Sequence, residues 1–152
     1  MRTPKIIFVT LLSLLTLASC SKEKEEDATL VGRWEMTSQK AEVETNNEVY
    51  SKGLEAALDK NSALVSLNFT EDGKVTIRNT AGGYNEYRYS VEGDKLLLTY
   101  IHTNELLILQ HSISGNTLTI YEDLTQMYQE QMKDQEGFEI SKVMAIHKYV
   151  KK

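Results

Sequence analysis

The stretch NFTEDGKVTIRNTAGGYNEYRYSVEGDKLLLTY (68–100) decides the fold. Three turn pairs punctuate it: Asp72-Gly73, Gly82-Gly83 and Gly93-Asp94. Between the first two, Val75 and Ile77 alternate with Lys74, Thr76 and Arg78. After the second, Tyr87, Tyr89 and Val91 alternate with Arg88 and Ser90. A period of two marks strands with one buried face, and Gly-containing pairs between such runs mark hairpins. The punctuation continues outward through Thr103-Asn104 and Gly115-Asn116, ten to twelve residues apart throughout. Helices interrupted at that interval are marginal in water, so the reading is all-β.

Eight strands follow, at about 31–39, 64–70, 74–79, 84–91, 95–102, 105–113, 117–122 and 140–150. Those at 95–102 and 105–113 are apolar on both faces, through Leu96-Leu97-Leu98 and Leu106-Leu107-Ile108-Leu109. Both of their faces are therefore covered, or one meets a partner. Two stretches depart from the pattern. Leu54, Ala57 and Leu58 fall at helical spacing within Lys52 to Lys60, and Leu124, Met127, Tyr128 and Met132 share a face within 123–136. They read as short helices that cap the barrel or pack on its outside. Eight short strands in meander order suit a closed antiparallel up-and-down barrel, because closure removes the unpaired sheet edges. Such a barrel is just wide enough for packed side chains or one small ligand. A sandwich is the alternative architecture.

The chain has 152 residues, which allows one domain. Its net charge of −5 becomes −7 once Arg2 and Lys5, the basic residues of the first nineteen, are set aside. That balance argues against nucleic-acid binding, which needs clustered Lys and Arg to neutralise phosphates. Cys20 is the only cysteine, so neither an intramolecular disulfide nor a Cys-based zinc site can form.

Residues 1–19 read as a signal peptide. Arg2 and Lys5 precede an apolar run from Ile6 to Ala18, shorter than the roughly 20 residues of a membrane span. The run ends in Leu17-Ala18-Ser19-Cys20, which resembles a bacterial lipobox. That resemblance implies cleavage before Cys20 and its lipidation, with several acyl chains supplying stable anchoring. Residues 20–28 then form the lipidated Cys and a charged tether, in which Ser21 to Asp27 carries six charges. Lys followed by acids at this place is similar to signals that carry lipoproteins to the outer face of a Gram-negative outer membrane.

Residues 29–152 hold the barrel domain. Leu30-Val31-Gly32-Arg33-Trp34-Glu35 contains a Gly-x-Trp similar to the opening signature of lipocalins. Phe69 to Lys74, Tyr89 to Leu96 and Ile113 to Leu118 resemble the bacterial lipocalin-like domain of secreted lipoproteins. The resemblance implies that Trp34 closes the barrel floor against a basic residue of the last strand. No Arg lies there, which leaves Lys142 or Lys148 for the role. The family's Thr-Asp-Tyr turn is absent.

Catalytic signals are missing. There is no Gly-x-Ser-x-Gly elbow, no phosphate-cradling Gly loop before a helix and no calcium-loop run of acids. With Thr103-Asn104 as a hairpin tip, His111 falls opposite Leu96, about 20 Å from His102. These two cannot share a metal, and His147 reaches either one only through barrel closure. All three read as surface or barrel-wall residues. Acidic pairs such as Glu122-Asp123 and Glu42/Glu44 are the remaining candidates for metal or acid-base work, and neither has a supporting partner set.

The expectation is a non-enzymatic, envelope-anchored outer-membrane lipoprotein without metal or cofactor. It binds a small apolar or amphipathic ligand inside the barrel. Leu67, Phe69, Tyr87, Tyr89, Leu96, Leu98 and Tyr100 are the candidate lining; tyrosines there offer an apolar ring and an orienting hydroxyl. The alternative is a filled core, with a protein or glycan partner bound on the outside.

Overall fold

The computed structural model describes residues 30–60 and 64–152; the readings at residues 1–28, lipidation of Cys20 among them, lie outside the described residues. Eight strands follow in chain order: β1 Gly32–Thr45, β2 Leu64–Phe69, β3 Lys74–Asn79, β4 Tyr84–Glu92, β5 Lys95–Tyr100, β6 Leu106–Ser114, β7 Thr117–Asp123 and β8 Ile140–Lys151. Each pairs with the next, and β8 pairs back onto β1. All pairs are antiparallel, so the fold is the expected closed up-and-down barrel. Helix α1 (Glu48–Lys60) follows β1 and helix α2 (Thr125–Met132) follows β7. A chain beginning at Ser21 keeps every strand and every strand pair.

The register departs from expectation at one hairpin. Leu96 pairs with Leu109 rather than His111. The β5–β6 connection is longer than a two-residue tip, with Asn104 in the left-handed region at φ 58°. A slide of two residues keeps each side chain on its own face.

Strand β1 runs well past its expected end at residue 39. Ala41, Val43 and Thr45 alternate with Lys40, Glu42 and Glu44, and the outward Glu42 carboxylate pairs with the Lys142 ammonium of β8. The run also contains a bulge between Met36 and Ser38. One extra residue reverses the alternation. Trp34 and Met36 pack inward before it, and Gln39, Ala41 and Val43 turn away from solvent after it.

Only Gly32 to Glu35 of β1 pair with β2, which leaves the rest of that edge without a strand neighbour. Helix α1 serves it instead. The Asp59 carboxylate accepts from the Ala41 amide at 2.7 Å and the Glu55 carboxylate from the Val43 amide at 3.1 Å. The Gln39 side-chain amide donates to the Leu58 carbonyl. An otherwise bare sheet edge is thereby covered.

Burial divides into two clusters. Trp34, Leu67, Phe69, Val75, Leu96, Leu118 and Tyr149 are buried with Leu30 around the first strand's start. At the other end, Val43, Ile140 and Val143 pack with Leu54 and Leu58 of α1 and with Tyr128 and Met132 of α2. The two helices therefore cap the second end, as their apolar faces foretold. No helix among the described residues is long and apolar enough to cross a membrane.

Candidate functional site

The first end of the barrel is shut by bonded contacts. Trp34 Nε1 donates to the Leu30 carbonyl at 2.7 Å, and neither residue is exposed. Lys151 Nζ lies 5.2 Å from the Trp34 ring centroid, within cation–π range. This corrects the expected partner. Lys142 is held by Glu42 and Lys148 is exposed, whereas β8 runs one residue past its expected end and delivers Lys151. Gly32 is required there. Its φ is +128°, a backbone conformation that residues with a Cβ rarely adopt. Phe69 and Tyr89 meet edge to face at 5.0 Å, and the Tyr89 hydroxyl donates to the Thr70 carbonyl at 3.2 Å. Side chains fill this half.

The second end holds a chamber of about 360 Å³. Ile77, Tyr87, Leu98, Leu107 and Leu109 form its apolar wall, with Leu58 of α1 and Met127 and Tyr128 of α2 at the helical side. Four polar residues break that lining: Gln39 of β1, Asn85 of β4, Glu122 of β7 and His147 of β8. Gln39 and His147 are direct cross-strand partners. Glu122 is opposite Ala145, one inward position from His147.

Two of these residues are poorly satisfied within the protein. Neither ring nitrogen of His147 has a hydrogen-bond partner there, nor has Gln39 Oε1. His147 is 5% exposed. Its Nε2 is 3.6 Å from Glu122 Oε2, a distance of charge contact but too long for a hydrogen bond. Tyr149, the next inward residue on β8, has an unpartnered buried hydroxyl. Burial, with the Glu122 carboxylate adding to it, pushes the Tyr149 phenol well above its ordinary range. Tyr87 is raised too, first by burial and then by the neighbouring Tyr100. Both phenols are neutral at pH 7 and available as donors.

The expected lining residues divide between the two halves. Tyr87 and Leu98 face the chamber. Leu67, Phe69 and Leu96 are buried in the closed half, and Tyr89 packs against Phe69. Tyr100 backs the Tyr87 ring with centroids 5.2 Å apart. The histidines do not gather. His102 meets the Tyr100 ring at 5.3 Å, His111 sits with Nδ1 3.1 Å from the Asp94 carbonyl, and His147 enters the chamber. Among the described residues no group of three or more His, Cys, Asp or Glu forms a metal-binding cluster.

Gln39, His147 and Glu122 are the residues that the sequence reading passed over as a site. For two of them a signal existed. Inward alternation through Val143, Ala145 and Tyr149 carries His147 with it, and alternation through Leu118 and Ile120 carries Glu122. Gln39 had none, because the bulge reverses its face.

A larger groove of about 600 Å³ lies between α2 and the start of β8. Its polar groups are already engaged: Asn46 bonds to Gly137 and Glu139, and Gln129 donates to the Ile140 carbonyl at 2.8 Å. The smaller chamber is the better candidate, since two residues of its lining, Gln39 and His147, carry buried polar atoms without protein partners. No protein-family model matches the sequence, and comparison with curated proteins finds no significant relative.

Proposed function

We propose that this protein is a lipocalin-like lipoprotein of the bacterial envelope, anchored through Cys20, that holds a small amphipathic molecule in the chamber. The observation that carries the reading is the chamber itself, with an apolar wall and the unpartnered buried groups of His147 and Gln39. An unsatisfied buried polar group costs about 1–3 kcal/mol. A bound molecule with matching polar atoms recovers that cost, and its apolar body gains from burial. The volume is near the lower end of the roughly 300–1,000 Å³ usual for ligand pockets. It fits one ring system or a short chain, not a two-chain lipid.

The lipobox-like Leu17-Ala18-Ser19-Cys20 supports the anchor. The chain enters the described barrel at Leu30, beside Trp34 and at the end away from the chamber. The reading assigns no catalysis, since binding alone accounts for the chamber.

One observation favours the alternative of a partner on the outside. Leu106 and Ile108 of β6 are each 55% exposed, and Ile108 pairs with Leu97 on the same outward face.

Native mass spectrometry of residues 21–152, purified gently from a host envelope, separates the two readings. A discrete added mass that solvent extraction removes is the expected result. A clean unliganded mass, with no uptake from an envelope extract, overturns the chamber reading and moves the search to the β6 face.

A further inference from the structure

Charge decides which amphipathic molecule suits the chamber. Glu122 is the one acidic residue in its lining, and no Lys or Arg stands among the described residues that line it. On β8, Lys142 is paired with Glu42 and Lys148 is exposed. The carboxylates of Asp59 and Glu55 lie along the adjoining β1 edge. A ligand carboxylate would therefore enter beside Glu122 without a fixed cation to offset either charge. Burying like charges together is unfavourable in a low-dielectric site.

Donors are present in the lining as well, in Asn85 and the Tyr87 hydroxyl, but its one charged group is a carboxylate and acceptors stand beside it. Glu122 offers carboxylate oxygens, 3.6 Å from His147. Gln39 directs its Nε2 to the Leu58 carbonyl, which leaves Oε1 as the unpartnered atom. His147, in its neutral form, offers one ring nitrogen with a lone pair. Gln39, His147 and Glu122 thus stand on neighbouring inward positions of β1, β8 and β7, and a primary ammonium has three N–H donors to offer such acceptors. The wall of Ile77, Tyr87, Leu98 and Leu107 then receives an apolar body.

We propose that the chamber is selective for small amphipathic amines, with the ammonium held by Glu122, Gln39 and His147. This rests on the chamber reading above and adds its specificity.

Calorimetric titration of residues 21–152 with 3-phenylpropylamine, 3-phenylpropanol and 3-phenylpropionate tests it, because the three probes share one apolar body. The amine is expected to bind at least about tenfold more tightly than the carboxylate, with the alcohol between them; tenfold is the cost of one poorly met charge. In Glu122→Gln, with its melting temperature checked, the amine is expected to lose about tenfold while the alcohol changes less than about twofold. Equal or tighter binding of the carboxylate, or an amine affinity unmoved by Glu122→Gln, overturns the selectivity. In that case binding of the alcohol still upholds the chamber. Failure of all three probes at millimolar concentration overturns the chamber and the selectivity together.

Discussion

At the closed end, the Trp34 indole N–H is bonded to the Leu30 carbonyl, and the Lys151 ammonium covers the ring. At the open end, the same strands β1 and β8 present Gln39 and His147, whose acceptor and ring nitrogens have no protein partner. Four residues of β1 separate the two arrangements, and the bulge after Met36 lies between them. Apart from the Tyr149 hydroxyl, the first end uses its polar atoms to hold the fold. The second keeps polar atoms in reserve at a cost in stability, as binding sites commonly do. Truncating a bonded group at the first end should therefore weaken the protein, whereas making the second end apolar should strengthen it.

The largest effect is expected from Trp34→Ala. It removes a fully buried indole and the Leu30 bond, and the loss is about 3–5 kcal/mol by the usual cost of aromatic truncation. Urea unfolding should show a fall in midpoint with little change in slope. A loss under about 1 kcal/mol would mean that the closed end is not the structural anchor.

His147→Leu is expected to act in the opposite direction. Removing two unpartnered ring nitrogens from a site that is 5% exposed should raise stability by about 1 kcal/mol. The same variant should lose binding of 3-phenylpropylamine. A variant that is destabilised and still binds would place His147 in the fold's support rather than in the site.

Tyr149→Phe should give the smallest change, a gain of up to about 1 kcal/mol at pH 7, because the buried hydroxyl has no partner. Its pH dependence has a definite sign. The folded pKa of Tyr149 lies above the unfolded value of about 10, so the unfolded state ionises first as pH rises. Stability is unaffected by this ionisation below about pH 10 and falls as pH rises above it. Wild type should therefore lose melting temperature faster than Tyr149→Phe between pH 9 and 11. Parallel curves would show that the phenol is hydrated in the folded state.

The sequence carried the barrel because its signal is repeated. Each turn pair and each alternating run says the same thing, and a one-residue error in any strand leaves the others intact. The site rests on single residues and had no such redundancy. Alternation in β8 put His147 on the inward face, yet a lone histidine among apolar residues reads as wall unless an acid is known to stand beside it. Glu122 became that acid only through the pairing of β7 with β8. Gln39 was concealed by the bulge, which no residue type between Met36 and Ser38 announces. Lys151 was missed because the last strand was ended one residue early, a typical uncertainty at element boundaries. The five candidates that fell outside the chamber lining share its faces, so period alone could not tell the filled half from the open one.

The most direct test of the two-ended account is methyl-resolved NMR of residues 21–152 titrated with 3-phenylpropanol, a neutral probe independent of the charge argument. Ile77, Leu98, Leu107 and Leu109 should shift with a common saturating curve, while Leu30, Leu67, Leu96 and Leu118 stay in place. Shifts at the closed-end methyls, or shifts confined to the outward Leu106 and Ile108, would contradict it.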